Sequence, residues 1–257
     1  MDQVDVLDDK CYIRLIESWG SDQRIVEAAR MSTDKGFLGW GHTAHYEKCP
    51  NYGDKLPRYP KKCDACDAFG GDECLLEYLY SHKHMTPFEM AGLTIEVQAP
   101  IFVFREWHRH RTQSYNELSA RYTELPNMFY MPTEQRINMG RQSVTNKQSS
   151  DEGTILPREW HEMTRIQELI HGAFTDARET YEELLKMGVA RELARIVIPV
   201  AQISRMRASA NLRNWLAFLT LRMDPAAQWE IRCYANALAL LIEKTYPRTW
   251  ELFAKER

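Results

Sequence analysis

The feature that most restricts the possible folds is a long amphipathic pattern in the second half of the chain. Between about Arg158 and Lys186, apolar residues recur at steps of three and four, as they do along the buried face of a helix. Gly188 follows the last of them and predicts the end of that helix, because glycine readily takes the left-handed conformation that closes one. The pattern therefore predicts a helical C-terminal half.

Shorter patterns predict the remaining elements. Residues 11–19 are predicted to form a strand, and residues 91–98 alternate apolar and polar side chains, as a half-buried strand does, until Pro100 ends the pattern. A helix or tight turn is predicted for residues 101–111. Predicted helices cover residues 22–32 (with Ser21 or Asp22 as N-cap), 75–82, 190–198, 211–222 (capped by Asn211) and 224–244 (opened by Asp224 and Pro225). Strands in the middle followed by helices predict an α+β fold.

One segment shows no periodicity. Residues 33–72 are rich in Gly, Pro, Lys, Asp and Tyr, and so long a stretch without periodic structure is unusual inside a compact domain. We predict a single catalytic domain over residues 1–257 that carries a surface insertion at residues 36–72.

Net charge and hydropathy exclude some classes of protein. The formal net charge of −3 and the isoelectric point near 6.3 disfavour a general nucleic-acid binder, which is usually basic. No uninterrupted apolar run is long enough to predict a membrane span, and no secretory signal opens the chain. We therefore predict a cytoplasmic protein with reduced cysteines and with no nucleic-acid or membrane partner.

The insertion contains a set of residues that could bind zinc. Cys63 and Cys66 form one Cys-x2-Cys pair, which is half of a zinc signature, while the other spacings are loose. We therefore assign no metal and regard free thiols in a solvated loop as the competing interpretation. The candidate zinc ligands are Cys49, Cys63, Cys66 and Cys74, with His42 and His45 nearby.

The segment from Arg105 to Tyr122 is unusually polar. Four arginines fall within 17 positions, interleaved with histidines, serines, tyrosines and an asparagine, so almost nothing here could fill a core. Guanidinium groups match phosphate oxygens and stack on flat rings. The composition favours a pocket for a phosphorylated aromatic ligand, and a solvated polar loop remains the alternative.

A second basic series follows downstream. Arg195 stands among apolar residues and is predicted to enter the interior, where it would need a bound phosphate or a carboxylate such as Glu192. Internal ion pairs could account for any one arginine but are a strained explanation for the whole series. Its members are Arg191, Arg195, Arg205, Arg207, Arg213 and Arg222.

Sequence motifs point to a known family. Arg109-His110-Arg111, followed after seven residues by Ser119, resembles the signature of the flavin-dependent thymidylate synthases. Four further blocks that are similar to the family's occur in the same order, at residues 84–89, 99–103, 191–199 and 211–230. The resemblance covers residues 1–35 and 72–250 and leaves out the insertion.

The resemblance implies a fold and a reaction. The implied fold has a central antiparallel or mixed sheet covered by helices. In the implied reaction, methylenetetrahydrofolate supplies the carbon that converts deoxyuridine monophosphate (dUMP) to thymidylate (dTMP), reduced FAD supplies the hydride, and NADPH reduces the flavin. A homotetramer with shared active sites is also implied.

The resemblance further implies the role of individual residues. Arg222 is the implied catalytic residue, since its positive charge against the uracil would favour ionisation at N3 and make C5 more nucleophilic. Ser119 is interpreted as a hydroxyl that binds substrate, because no His-Asp pair accompanies it. The implied FAD-binding residues are Thr86, Arg109, His110, Arg111, Glu117, Asn211 and Arg213. The implied dUMP-binding residues are Glu106, Arg109, Glu117, Ser119, Arg121, Arg195 and Arg222.

Three other functions remain open from the residues alone. A non-catalytic nucleotide-binding module would keep the arginines without flavin, and a zinc-dependent nucleotide hydrolase would use the cysteines and histidines. An RNA-binding protein could use Arg and Tyr for stacking, although the acidic balance argues against it. The pairs His82/His84 and His108/His110 are interpreted as stacking or hydrogen-bonding residues rather than metal ligands.

Overall fold

The computed structural model describes residues 2–40, 47–54, 63–66, 71–139, 141–142, 150–151 and 159–257. A five-stranded sheet has the strand order β1-β2-β3-β7-β4, and two short strands, β5 and β6, pair separately. The predicted α+β class, with an antiparallel sheet and a helical C-terminal half, is confirmed. The strands are β1 (Gln3–Asp5), β2 (Tyr12–Trp19), β3 (Gly92–Pro100), β4 (Ser114–Glu117), β5 (Arg141–Gln142), β6 (Ser150–Asp151) and β7 (Ile203–Asn211).

Helices connect and follow these strands. None of the described helices combines the length and the apolarity needed to cross a membrane. The helices are α1 (Asp22–Arg30), α2 (Asp72–Ser81), α3 (Ile101–Trp107), α4 (Glu134–Met139), α5 (Trp160–Lys186), α6 (Arg191–Ala194), α7 (Leu212–Arg222), α8 (Trp229–Thr245) and α9 (Pro247–Lys255), with 3-10 turns at Met31–Thr33, Thr86–Met90 and Arg195–Val197.

The chain divides into two compact units, each assembled from separated segments. The first comprises the residues up to Arg14 together with Ile95–Ala208 and Phe218–Ala237. The second comprises Leu15–Thr94, Ser209–Ala217 and Leu238–Arg257.

An aromatic core in the first unit fixes the end of α3. Trp107 is fully buried, with its ring centroid 4.6 Å from that of Phe218 and 6.2 Å from that of Tyr234. The indole Nε1–H donates to Oε1 of buried Gln113 at 3.0 Å, which satisfies its one polar group. Because Trp107 and Gln113 flank the turn at residues 108–112, this core holds the Arg-His-Arg motif in place.

In the second unit, strand β3 begins at a position that only glycine fits. A Cβ atom on Gly92 would lie 2.3 Å from the Trp19 ring and 2.5 Å from the Ala210 carbonyl oxygen. The hydroxyl of buried Tyr246 bonds to the backbone at the same position. It accepts from Gly92 N–H at 3.1 Å and lies 2.5 Å from the Gly92 carbonyl oxygen. The contact ties the end of α8 to the sheet.

Most predicted elements are confirmed with small shifts at their ends. Ser21 caps α1, since its hydroxyl accepts from Arg24 N–H at 3.2 Å, and Asn211 caps α7 by accepting from Asn214 N–H at 3.0 Å. Gly188 lies just beyond α5 with a φ of 81°, as the end of that helix requires.

The prediction that Asp224 opens the last helix was wrong. Its carboxylate accepts from Ala226 N–H at 2.7 Å and closes a local turn, so α8 begins only at Trp229. Helix α9 was not predicted, because the carboxylate that caps it belongs to Asp22 in α1. Asp22 is buried and accepts from the backbone N–H groups of Arg248 and Thr249 at 3.0 and 3.1 Å and from the Thr249 hydroxyl at 2.6 Å.

We expect Asp22→Ala to lower the free energy of unfolding by about 3 kcal/mol, because it leaves the buried donors at the start of α9 without their charged acceptor. Arg24→Ala removes only an exposed ion pair with Glu27 and should cost less than about 0.5 kcal/mol. Urea unfolding of both variants at one protein concentration measures the difference. Equal losses would refute the capping role of Asp22.

Candidate functional site

The Arg-His-Arg motif forms a turn directly after α3. His110 N–H donates to the Trp107 carbonyl oxygen at 3.0 Å, and the Tyr115 hydroxyl donates to the His110 carbonyl oxygen at 2.7 Å. Arg109 and Arg111 are exposed on this turn. The backbone is therefore fixed from both sides, while the two guanidinium groups reach solvent, where an anionic ligand can meet them.

Arg222 is the most tightly held arginine of the site. At the end of α7, its Nε–H donates to His110 Nε2 at 2.9 Å. Its Nη1 and Nη2 donate to the Glu106 carboxylate and to the Glu106 carbonyl oxygen, each at 2.9 Å. Its side chain is only 16% exposed. Within the described part of the chain, three of its five N–H groups are thus engaged, which leaves two for a ligand.

The tautomer and the charge of His110 follow from this contact. Because Nε2 accepts from Arg222, the ring proton must lie on Nδ1. The ring packs edge-on against Phe218, with centroids 4.7 Å apart. Burial, with the neighbouring Arg222 charge, lowers the pKa of His110 to about 4, while Glu106 acts in the opposite direction. His110 is therefore neutral near pH 7 and acts on Arg222 as an acceptor.

A cavity of about 550 Å³ in the same unit contains several predicted residues. Glu117, Ser119 and Arg195 line it, together with Arg105 and Ser204. Ser204 is buried, and among the described residues its hydroxyl has no hydrogen-bond partner. A buried hydroxyl without a partner is costly unless a ligand or water bonds to it. Ser204 was missed from the sequence, because it occurs in an ordinary strand pattern.

Arg195 was predicted to enter the interior, and this was wrong. Its side chain is exposed and lines the cavity, because the short helix α6 is exposed except for Ala194 and the following 3-10 turn is exposed except for half-buried Val197. Glu192, the carboxylate that was considered as its partner, lies instead 3.7 Å from Arg121 Nε. Among the described residues, Arg195 has no ion pair, so its guanidinium group is available at the cavity, which Glu117 and Glu192 also line.

Four of the other five arginines of the downstream series form ion pairs with carboxylates, so ion pairs explain more of that series than expected. Arg205 hydrogen-bonds to Tyr12 and interacts electrostatically with Glu96. In the part of the chain that the structure describes, Arg195 has no such partner. The ion pairs are Arg191 with Glu124, Arg207 with Glu96, Arg213 with Glu89, and Arg222 with Glu106.

A second group of predicted residues lies in the other compact unit. Thr86 is exposed at the start of a 3-10 helix, and Arg213 is half exposed and paired with Glu89. The side-chain carbonyl oxygen of Asn211 caps α7, so the N–H groups of the same side-chain amide are the donors that it offers to a ligand. An exposed guanidinium with neighbouring amide and hydroxyl donors is suited to phosphate and flavin oxygens.

The histidine pairs stack on aromatic rings, as interpreted from the sequence. The His82 and His84 rings stack on Tyr78 at centroid distances of 4.1 and 5.8 Å, and the His108 ring meets Tyr115 edge-on at 4.8 Å. Among the described residues, the only group of side chains with the geometry of a metal site is formed by cysteines.

That cysteine group corrects the predicted ligand set. It contains Cys49, Cys63 and Cys66, whereas Cys74 is exposed in the first turn of α2 and is not a member. Cys74 is excluded because the helix that presents it belongs to the regular fold rather than to the insertion loop. His42 and His45 lie outside the described residues.

Comparisons with known proteins agree on one family. Residues 14–248 match the family described as "Thymidylate synthase complementing protein". The chain is 37% identical over 247 residues to a flavin-dependent thymidylate synthase of Thermosipho melanesiensis, covering 96% of this chain and 92% of that protein. It is 38% identical over 246 residues to one of Thermus thermophilus, covering 95% of this chain and 76% of that protein.

A solved structure is also similar. It is a UMP/dUMP methylase, PolB, from Streptomyces cacaoi bound with 5-Br UMP. The TM-score is 0.74 at 30% sequence identity, and the match covers 98% of this chain and 96% of that one.

We expect the imidazole of His110 to titrate with a midpoint near pH 4, well below the ordinary value of 6.5. The unfolded chain binds this proton at a higher pH than the folded chain, so His110 makes stability fall as the pH drops from about 6.5 towards 4. Nitrogen chemical shifts of labelled histidine, assigned with His110→Gln, measure the midpoint. Arg222→Gln should raise it, and a wild-type midpoint near 6.5 would contradict the buried neutral ring.

Proposed function

This chain belongs to the family of flavin-dependent thymidylate synthases, and we propose that it methylates dUMP to dTMP at the site formed around Arg222 and the cavity beside Arg195. The observation that carries the proposal is the contrast between the two arginines. Arg222 is held in place by its hydrogen bonds and is paired with Glu106, as suits a group whose charge must act at one atom of the substrate. Arg195 is exposed and without a carboxylate partner among the described residues, as a phosphate-binding group requires.

The cavity suits the nucleotide. A volume of about 550 Å³ lies within the usual range for small-ligand sites. We assign the phosphate to Arg195, joined by Arg121 once the phosphate displaces its long 3.7 Å contact with Glu192. Hydrogen bonds of the nucleotide are assigned to the hydroxyl groups of Ser119 and Ser204. The Ser119 oxygen accepts only a weak bond from Arg121 N–H at 3.3 Å, so its own proton is available to an acceptor on the substrate.

Arg222 supplies the electrostatic part of the chemistry. Its two remaining N–H groups would bond a uracil carbonyl and N3, so that its charge stabilises the N3 anion and makes C5 more nucleophilic. Neutral His110 holds the guanidinium without adding a competing positive charge. Glu106 orients Arg222 from the opposite side, so its effect on the nucleotide passes through this pair.

The FAD-binding role of the motif is consistent with the geometry. The exposed guanidinium groups of Arg109 and Arg111, with His110 and Glu117 of the same unit, would bind the anionic part of FAD. Thr86, Asn211 and Arg213, in the second unit, remain predicted FAD-binding residues. When bound and reduced by NADPH, FAD supplies the hydride for the carbon that methylenetetrahydrofolate delivers. The protein residues contribute orientation and charge.

An enzyme thiol is not needed in this scheme. Cys233 lies half buried in α8, and burial raises its pKa to about 11, so that it carries a proton at neutral pH. A protonated thiol is a weak nucleophile.

We further propose that the enzyme is a cytoplasmic homotetramer whose active sites are shared between subunits. Each subunit would be one catalytic domain over residues 1–257, with the insertion at residues 36–72.

The ribonucleotide UMP is a second candidate substrate. The similar solved structure is titled a UMP/dUMP methylase and contains 5-Br UMP, and a second structure of that protein contains 5-Br dUMP. The same phosphate and uracil contacts would serve both nucleotides, so the 2′ position decides between them.

We expect Arg222→Gln to reduce kcat for dTMP formation about 100- to 1000-fold, the usual loss when one preorganised donor to a developing charge is removed. Cys233→Ser is the matched control and should keep wild-type activity. Product formation from dUMP, methylenetetrahydrofolate, FAD and NADPH is measured by chromatography, with UMP in a parallel reaction.

Flavin absorbance adds an independent test. The wild-type chain should retain FAD, and dUMP should perturb the visible flavin band if both ligands share one site. A chain that cannot be loaded with FAD, or that loses activity in Cys233→Ser as fully as in Arg222→Gln, would overturn the proposal. Equal turnover of UMP would widen the substrate class to both nucleotides.

A further inference from the structure

The insertion contains a buried group of thiols that the proposed reaction does not use. Cys49 and Cys63 are 4% and 3% exposed, and Cys66 packs against them. Among the described residues, no aliphatic or aromatic side chain joins this cluster. In the described part of this segment, the three thiols thus pack together without an apolar neighbour, and thiols alone give a loop little hydrophobic stabilisation.

The spacing of the sulfur atoms matches metal coordination. All three lie within 4.8 Å of one another, and the Cys49 and Cys63 sulfurs are 3.8 Å apart. In a tetrahedral zinc site with Zn–S bonds of about 2.3 Å, neighbouring sulfurs are separated by about 3.8 Å. A disulfide would require about 2.05 Å, so the thiols stand at coordination distance rather than at bonding distance.

Short turns and backbone N–H donors surround the thiols. Cys49 and Cys63 each begin a turn, closed by Tyr52 N–H to Cys49 O at 2.9 Å and by Cys66 N–H to Cys63 O at 3.3 Å. The backbone N–H groups of Asn51 and Ala65 donate to the Cys49 and Cys63 sulfurs, respectively. Such bonds stabilise thiolates, which are the ligands of soft metals.

Asn51 provides a second hydrogen-bond donor to the Cys63 sulfur. Its side-chain Nδ2 donates to Cys63 Sγ at 3.3 Å. The Ala65 backbone N–H donates to the same sulfur. Asn51 therefore occupies the position of an outer partner that orients a ligand and supports its negative charge.

We propose that Cys49, Cys63 and Cys66 bind one Zn²⁺ ion that stabilises the fold of the insertion. Zn²⁺ takes four ligands in structural sites, of which the described residues supply three. Thiolate ligands select zinc over the hard cations Mg²⁺ and Ca²⁺. Metal binding then adds folding free energy to a thiol cluster that includes no aliphatic or aromatic side chain among the described residues. This site is independent of the proposed synthase activity.

Metal analysis of the full-length chain tests the proposal. After loading with Zn²⁺ alone and removal of excess, the wild-type protein should retain one zinc per chain. Cys63→Ser and Cys66→Ser should weaken zinc binding by more than about 100-fold, the upper limit of what loss of an outer partner alone costs. Cys74→Ser is the matched control, because that thiol is exposed outside the cluster, and it should retain zinc.

Further measurements separate loss of the site from general unfolding. Asn51→Ala keeps all three thiols and should weaken zinc binding about 10- to 100-fold. Far-ultraviolet circular dichroism should be unchanged in every variant, while cleavage by trypsin within residues 36–72 should become faster when zinc is removed. Cobalt in place of zinc should give a thiolate charge-transfer band that Cys63→Ser abolishes.

Three outcomes would overturn the proposal. The first is a wild-type chain that retains no zinc. The second is an intact mass that shows two of the cluster cysteines joined in a disulfide under reducing purification. The third is equal zinc loss in Cys74→Ser and Cys63→Ser.

Discussion

The guanidinium group of Arg222 joins segments that are more than a hundred residues apart in the chain. Its three bonds connect the end of α7 to the side chain and backbone of Glu106 and to His110. The bond to His110 sets the tautomer of that ring, and burial with the Arg222 charge keeps it neutral. They also leave two N–H groups in fixed directions. The same hydrogen bonds therefore determine both the geometry of the Arg-His-Arg turn and the chemistry available at Arg222.

The distribution of carboxylates explains how an acidic chain forms an anion site. Glu96 alone interacts with Arg14, Arg205 and Arg207, and further carboxylates face Arg213 and Arg222. Since a paired arginine has little charge to offer a phosphate, these contacts remove candidates rather than add them. Arg195 remains available to a phosphate because the Glu192 carboxylate lies beside Arg121 instead. The site thus depends on which arginines remain available to a ligand.

Local patterns predicted much of this structure, and contacts between distant residues account for what they missed. The strands β2 and β3, the long helix α5 and the caps Ser21 and Asn211 depend on residues close in sequence, so periodicity and cap chemistry sufficed. Helix α9 depends on Asp22, more than two hundred positions earlier. The Arg-His-Arg motif identified the family, but the exposure of Arg195 and the partnerless hydroxyl of Ser204 depend on packing that no local pattern encodes.

The cysteines show how one side chain acquires different chemistry from its surroundings. Burial raises the pKa of Cys11 to about 12 and that of Cys233 to about 11, so these thiols remain protonated packing groups. In the insertion, N–H donors from Ala65 and Asn51 lower the pKa of Cys63, whereas burial raises that of Cys49 to about 11. The proposed reaction uses no thiol nucleophile, so Cys11 and Cys233 can serve as unreactive packing residues. Among the described residues, Cys49, Cys63 and Cys66 are the cysteines whose sulfurs lie at metal-coordination distance from one another.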